Sequence, residues 1–413
     1  MIPADDEYVK IPFMQGGQKI IENRYCFRRW RRFVINIAGD DDRIRLFGIS
    51  KVKYLLEDQK YIFRRILDLA DSEKPEAVII AGDIYDKPSP PSEAVAVFDD
   101  FLSALHERNL HVLIISGNHD SPQRIAFGSR FVDSRIHLSP AYDGSVKAVK
   151  ITDRFGEVCF YLLPFVKPSA VRPFFPDESV TSYTDAIRMA IAHMDIDPDD
   201  RNVLVAHQFV TGAQTCDSEE VSVGGAGNVD SSVFAPFDYV ALGHIHGPQI
   251  ISGNPCIRYC GTPLKYSFSE RNQTKSVTVV EMEQKGAVTT RQIPLVPLHD
   301  MREIRGTYND LTLKQNYAGT AVDDYLHAVL TDEADIPNAL ARLRTIYPNI
   351  LALDYDNTRT RNSASFVSGA AVAQKTDIEL FMELYEKQNG QPMSDEQKQY
   401  SIELFEQIRE GDR

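Results

Sequence analysis

The chain of 413 residues contains one tryptophan and five cysteines. It has no uninterrupted run of about 18 apolar residues, which excludes a membrane-spanning helix. The N-terminus lacks a continuous apolar stretch of the kind that begins a secretory leader, so secretion is not expected. Cys26, Cys159, Cys216, Cys256 and Cys260 are too few and too scattered for a disulfide framework, and an odd number suits a reducing cytoplasm. Cys256 and Cys260 have no second cysteine pair to complete a structural zinc site. Positive charge is also short, with 45 Lys and Arg against 59 Asp and Glu and a net charge of −14. That balance excludes a protein that coats nucleic acid through a broadly basic surface, but not local contacts with phosphate or contacts shared with a partner. The length suggests two or three domains at roughly 100–200 residues each.

From about residue 60 to residue 282, apolar runs of strand length alternate with helical patterns. Ala77–Ala81 and Val112–Ile115 are continuous and rich in β-branched residues, as strands buried on both faces are. Between them Val95, Phe98, Leu102 and Leu105 recur at helical spacing. Further strands are expected at Val158–Leu163, Val203–Ala206, Tyr239–Leu242, Ile257–Cys260 and Val277–Met282, with a helix over Thr184–His193. This alternation describes a layered α/β domain. Pro294 and Pro297 then punctuate Ile293–Leu298, which reads as an extended linker. A smaller α/β unit follows, with strands at Tyr325–Leu330 and Ile350–Leu353 and a helix over Ile336–Ile346.

The last 40 or so residues change character. Ile378, Phe381 and Tyr385 form one helical stripe, closed by Asn389, Gly390 and Pro392. Ser394-Asp-Glu-Gln397 is a capping-box signature, and Tyr400, Leu404, Phe405 and Ile408 make a second stripe. Two short amphipathic helices of this kind either fold back on the core or dock onto another protein.

Four short motifs fall at the C-terminal ends of expected strands, where ligand-binding groups of α/β sheets converge. They are Gly82-Asp83-Ile84-Tyr85-Asp86, Gly117-Asn118-His119-Asp120, Ala206-His207-Gln208 and Gly243-His244-Ile245-His246-Gly247. Singly, each is no more than a turn or a core histidine. Together they supply carboxylate, amide oxygen and imidazole, the mixture of hard and borderline donors that two divalent ions require.

This series resembles the signature of the calcineurin-like metallophosphoesterases. Leu56–Ile62, Asp83–Asp86, Ser116–Pro122, Tyr259–Pro263 and Asp354–Arg359 narrow the resemblance to the SbcD family of nuclease subunits, over roughly residues 57–410. The resemblance implies a layered α/β metallophosphoesterase sandwich, two sheets flanked by helices, with a small α/β capping domain and C-terminal helices. The expected division is an atypical segment 1–56, a nuclease domain 57–290, a capping or DNA-recognition domain 297–362, and helices 370–413 that dock a partner. The implied activity is metal-dependent cleavage of DNA, exonucleolytic on double strands and endonucleolytic on single strands and hairpins. The implied cofactors are two divalent ions, Mn²⁺ with Mg²⁺ as the other candidate. The implied partners are DNA, a coiled-coil ATPase of the SbcC type and a second copy of the chain, giving a heterotetramer in the cytoplasm with no membrane. By residue, Asp83 would bridge both ions, Asn118, His207 and His244 would bind one, and His246 the other. His119 would act on the scissile phosphate or protonate the leaving oxygen, and Asp120 would hold its ring nitrogen. Arg124, Arg130, Lys265 and Arg271 follow the motifs and are candidates for DNA contact. The basic run Arg28–Arg32 around Trp30 reads rather as a solvated charged segment.

One family motif is missing. The first strand of the family ends in Asp-x-His, and the corresponding positions fall near Arg43 and Arg45, which repel a cation. No Asp-x-His occurs in residues 1–60. Three explanations remain open: an N-terminus altered by a frameshift, an inactive scaffold subunit, or a first strand at Phe33–Ala38 with Asp40, Asp41 or Asp42 as replacement ligands. A calcineurin-like phosphatase or small phosphodiesterase is the alternative enzyme, but it would have little use for residues 297–413.

Overall fold

The computed structural model describes residues 55–129, 133–219, 227–358 and 392–411, with short pieces at 14–15, 18–19, 32–35, 360–361, 378, 381–382 and 384–386. The chain divides into two compact units, Met1–Asp300 and Met301–Arg413.

The first unit is built on two six-stranded sheets. A two-residue hairpin, β1 (Met14–Gln15) with β2 (Gln18–Lys19), stands apart from both. One sheet contains β3 (Arg32–Ile35), β4 (Ala77–Ala81), β5 (His111–Ile115) and β6 (Ile136–Leu138) in parallel. The other contains β7 (Ala148–Asp153), β8 (Gly156–Leu163), β9 (Arg201–His207), β10 (Tyr239–Gly243), β11 (Gln249–Ile251) and β12 (Asn254–Tyr259). Within it β8, β9, β10 and β12 run parallel. Antiparallel β13 (Ser276–Met282) and β14 (Val288–Pro294) complete the first sheet on the side of β3. The buried faces meet in one core that takes Ile79, Ala81, Leu113 and Ile115 from the first sheet and Phe160, Leu162, Val203, Val205 and Ala241 from the second. Every residue of β4, β9 and β10 is buried, which is why β4, β10 and the Val203–Ala206 centre of β9 read as apolar runs.

Helix α1 (Leu56–Glu73) buries Ile62, Phe63, Ile66 and Ala70, and α2 (Ser92–Glu107) buries Val97, Phe98, Phe101 and Leu105. Phe63 and Phe101 stack with ring centroids 4.5 Å apart. The buried stripe of α2 is therefore turned from the one expected, since Val95 is exposed. Helix α3 (Tyr183–Ala192) is closed at its start by a reciprocal cap between Ser182 and Asp185, and packs Ala186, Ile187, Ala190 and Ile191 into a second core.

Two expectations are corrected. Ile293 and Pro294 are not linker: they end β14, an edge strand paired with β13. An edge position tolerates proline because one side of the strand needs no donor. The helix expected over Ile336–Ile346 is confined to Ala339–Leu343, because Asn338 before it is left-handed at φ +55°.

The second unit holds a parallel sheet of β15 (Met301–Gly306), β16 (Tyr325–Leu330) and β17 (Ile350–Tyr355). Leu311, Leu326, Ala328, Leu330, Leu343 and Ile350 form its core. The Asp354–Asn357 stretch is structural: the Tyr355 hydroxyl accepts the Ile336 N–H at 3.0 Å, and buried Asn357 donates to the Asp332 carbonyl at 3.1 Å. Helix α4 (Asp395–Gly411) begins with the expected capping box, Ser394 and Gln397 exchanging side-chain-to-backbone hydrogen bonds of 2.9 and 3.3 Å. Phe381, Tyr400 and Leu404 are exposed. No helix among the described residues is long and apolar enough to cross a membrane.

β3 lies between β4 and β13 and overlaps the stretch offered above as a replacement first strand. Asp40, Asp41 and Asp42, like Arg28–Arg31, Arg43, Arg45 and Arg130, lie outside the described residues.

Candidate metal centre

Four parallel strand ends deliver the motif residues to one place. Asp83 follows β4, Asn118 and His119 follow β5, His207 is the last residue of β9, and His244 follows β10. The parallel pairing sets Gly243 level with His207, which brings the two histidines together. Their rings meet edge to face with centroids 5.2 Å apart. His207 Nε2 lies 3.0 Å from Asp83 Oδ2 and 3.0 Å from Asn118 Oδ1. His244 Nδ1 lies 2.9 Å from the same Asn118 oxygen. Ligand atoms of Asp83, His207 and His244 are all within 4.8 Å of one another.

The backbone is strained to reach this arrangement. Asp83 has φ +48° and His244 φ +101°, conformations that side-chain-bearing residues rarely adopt. The glycines are demanded by packing. A Cβ on Gly117 would stand 2.0 Å from Asp83 Oδ1, and one on Gly243 would stand 1.8 Å from the Ala81 carbonyl oxygen.

The donor chemistry fits a cation. His207 Nδ1 faces the Ala81 carbonyl at 2.8 Å, and since a carbonyl only accepts, that nitrogen carries the proton. The ring's Nε2 faces two oxygens, Asp83 Oδ2 and Asn118 Oδ1, so the arrangement calls for positive charge, on the ring or on a cation held among these atoms. Burial works against ionised Asp83, but the imidazoles of His207, His119 and His244 outweigh it and hold the carboxyl well below the usual range. Burial, and His207 beside it, push His244 down to about 3, so its ring is neutral and able to ligate at neutral pH.

His119 sits at the edge of this group, its backbone N–H donating to Asp83 Oδ1 at 3.0 Å. Its ring Nδ1 lies 3.0 Å from the Asp86 carbonyl oxygen and 3.7 Å from the Asp86 carboxylate. This corrects the role expected of Asp120. The Asp120 carboxylate instead accepts backbone N–H groups of Gly117, Ile84 and Tyr85 at 2.8, 3.1 and 3.0 Å, fastening the two motif loops to each other. All three of these contacts are to backbone, while the His119 Nδ1 faces Asp86. Burial, with the charge of Asp83 nearby, raises its pKa to about 6.

His246 belongs to a different group. Its Nδ1 lies 2.9 Å from Ser218 Oγ and 3.3 Å from Glu270 Oε1, and its backbone N–H donates to Glu219 at 2.5 Å. Donor atoms of Cys216, Glu219 and His246 lie within 4.8 Å of one another. Burial opposes a proton on His246, but Cys216, Glu270 and Glu219 around the ring raise its pKa to about 10. Lys275 ion-pairs Glu270 at 2.5 Å and also donates to the His246 carbonyl, Thr262 and Gln273. Neither Cys216 nor Glu219 nor Glu270 was singled out from the sequence, because none sits at a strand end or in a periodic pattern.

Of the basic candidates, Arg124 donates to Pro88 and Ser89, Lys265 pairs with Asp300, and Arg271 donates to Phe268.

Residues 56–248 match the family model described as calcineurin-like phosphoesterase, the class of protein that this fold and these strand-end donors define. Residues 297–389 match the model described as type 5 capsule protein repressor C-terminal domain. A protein from Staphylococcus epidermidis, named as the D subunit of the nuclease SbcCD, is 32% identical over 366 residues, covering 87% of this chain and 96% of that relative. A second protein of that name, from Staphylococcus saprophyticus, is 34% identical over 306 residues, covering 73% of this chain and 80% of the relative. The chain belongs to the SbcD family. Among solved structures, a dimetal phosphatase from Danio rerio is 10% identical with a TM-score of 0.40 over 65% of this chain and 96% of that one, too distant a likeness to add to the assignment.

Proposed function

We propose that the chain is the nuclease subunit of an SbcCD-type complex, a metal-dependent phosphodiesterase acting on DNA in repair, recombination and replication in the cytoplasm. The observation that carries this reading is the meeting of Asp83, Asn118, His207 and His244 at four strand ends, with ring nitrogens 2.9–3.0 Å from the carboxylate and amide oxygens. In this reading Asp83 would serve both of two divalent ions, with Asn118, His207 and His244 on the first, Mn²⁺ or Mg²⁺, and His246 on the second. Such ions, when bound, neutralise phosphate charge and lower the pKa of a water to near neutrality. The protein's own part is to position. Ala81 and Asn118 fix the two rings, and the glycines let the loops close on Asp83. His119, its Nδ1 directed to Asp86, presents the other ring nitrogen to the scissile phosphate or the leaving oxygen. The second unit, residues 297–362 in the expected division, recognises DNA, and the C-terminal helices dock an SbcC-type ATPase in an assembly containing two copies of each chain.

A second reading, an SbcD scaffold with impaired catalysis, is favoured by the absence of Asp-x-His from residues 1–60. Purified protein loaded with Mn²⁺ and offered single-stranded and hairpin DNA decides between them. Cleavage that disappears in Asp83→Asn supports the nuclease, and no cleavage by the parent at full metal occupancy supports the scaffold.

A further inference from the structure

The pocket around His246 carries donors that the strand-end motifs do not account for. Cys216 and Glu219 come from the stretch after β9, and with His246 they place sulfur, carboxylate oxygen and imidazole nitrogen within 4.8 Å of one another. A tetrahedral ion that binds these three atom types at about 2.0–2.3 Å keeps its ligands roughly 3.3–3.7 Å apart, so the group closes by about 1 Å at most to hold it. Glu219 holds the other two donors in register. One of its oxygens accepts the Cys216 N–H and the other the His246 N–H, both at 2.5 Å. Ser218 Oγ stands among the side chains, 3.0 Å from Cys216 Sγ, 2.9 Å from His246 Nδ1 and 2.6 Å from Glu270 Oε1.

The charge of the pocket has the matching sign. Glu270 is answered by Lys275. Among the described residues Glu219 has no ion pair with a lysine or arginine, and its oxygens accept backbone N–H groups only. A cation would therefore find one carboxylate not yet neutralised and a thiol that loses its proton on binding. Thiolate is a soft donor, which selects zinc over manganese or magnesium.

We propose that Cys216, Glu219 and His246 form a site for a thiophilic divalent cation of the zinc class, supplying partners to His246 that the missing Asp-x-His does not. The inference rests on the reading of His246 as a metal ligand, and its test separates the two. Metal-free full-length chain is titrated with Co²⁺ and then Zn²⁺, following the near-ultraviolet cobalt–thiolate absorption and the metal bound per chain. The parent shows the thiolate band, and Zn²⁺ slows alkylation of Cys216 as read by peptide mass spectrometry. Cys216→Ser loses the band and about one ion per chain, and Glu219→Gln weakens that ion on the order of tenfold or more. Asp83→Asn keeps the band and loses a different ion. Absence of the band in the parent, or Cys216 alkylation unaffected by Zn²⁺, overturns the proposal without recourse to any variant. If the Asp83→Asn metal content matches the parent while the band persists, the Asp83 reading fails and this one stands.

Discussion

The two donor groups of the first unit are made in opposite ways. The group at Asp83 takes every member from a parallel strand end, where backbone pairing dictates the spacing of His207 and His244. The group at His246 takes one member from such an end and the others from irregular chain, held by side-chain hydrogen bonds through Ser218, Glu219 and Glu270. A site fixed by sheet pairing tolerates changes in the loops around it. A site fixed by side chains depends on each of them, and the presence of Lys275 beneath Glu270 shows how much charge must be balanced to keep it together.

Four experiments sharpen or break that contrast. The largest effect is expected from Asp83→Asn, which removes the carboxylate from the sheet-built group and should take Mn²⁺-dependent cleavage of single-stranded DNA below detection; cleavage that survives would remove Asp83 from the centre of the site. His119→Leu should slow cleavage by about 10²–10⁴-fold, the usual worth of a proton-transferring group, with metal content nearly that of the parent. Loss of metal alongside rate would make His119 a ligand. Lys275→Met tests the other group by stability, since it leaves buried Glu270 without its lysine and with the His246 ring alone to answer it, and should cost about 3 kcal/mol in urea unfolding of the metal-free protein at neutral pH.

The pH dependence of that cost has a definite sign. Burial opposes ionised Glu270, and Lys275 and His246 outweigh it to hold its pKa below the ordinary value. In the parent the resulting stabilisation is complete above the ordinary glutamate pKa and is lost as pH falls below it toward the lower pKa of the folded state. Without Lys275 the buried acid binds its proton more readily when folded, so the gap between variant and parent should narrow on acidification. A gap that widens would mean Lys275 acts through something other than Glu270. The smallest change is expected from truncation after about residue 370. The melting temperature of the first unit should hardly move, because its strands and donors lie upstream, while co-purification with an SbcC-type ATPase should be lost. Asp and Glu outnumber Lys and Arg two to one from Lys375 onward, so intact binding should weaken with salt. Undiminished pull-down by the truncated chain would take the docking role away from the helices.

How far the sequence disclosed these features follows from what holds each in place. β4, β9, β10 and β16 were legible because burial on both faces writes a largely apolar run, interrupted in β16 only at His327 and in β9 only at its ends. β14 was not, because an edge strand with partly exposed residues and a terminal proline has no such signature. The capping box at Ser394 was legible because both partners lie within four residues. The donors at Asp83 could be read because glycine must precede Asp83, Asn118 and His244 where loops approach this closely. Cys216, Glu219 and Glu270 could not, since the contacts that join Glu219 and Glu270 to His246 and Ser218 span 24 to 52 residues and are met only in the folded chain. The partners of Asp120 were hidden for a related reason: adjacency to His119 in sequence suggested contact, while its carboxylate accepts from Ile84 and Tyr85, 36 and 35 residues away.

The donors at Asp83 are spread over more than 160 positions of chain, and their distances are not all set until β4 has paired with β5, β9 with β10, and the two sheets have packed on each other. Strands so far apart in sequence associate slowly, because long loops must close before any pairing rewards them. The unfolded chain thus carries the ligands without the site, and an ion with little affinity for that chain draws the equilibrium toward the completed sheets in proportion to its concentration. In a cell, scarcity of the metal would then lower the amount of folded protein as well as the activity of each molecule.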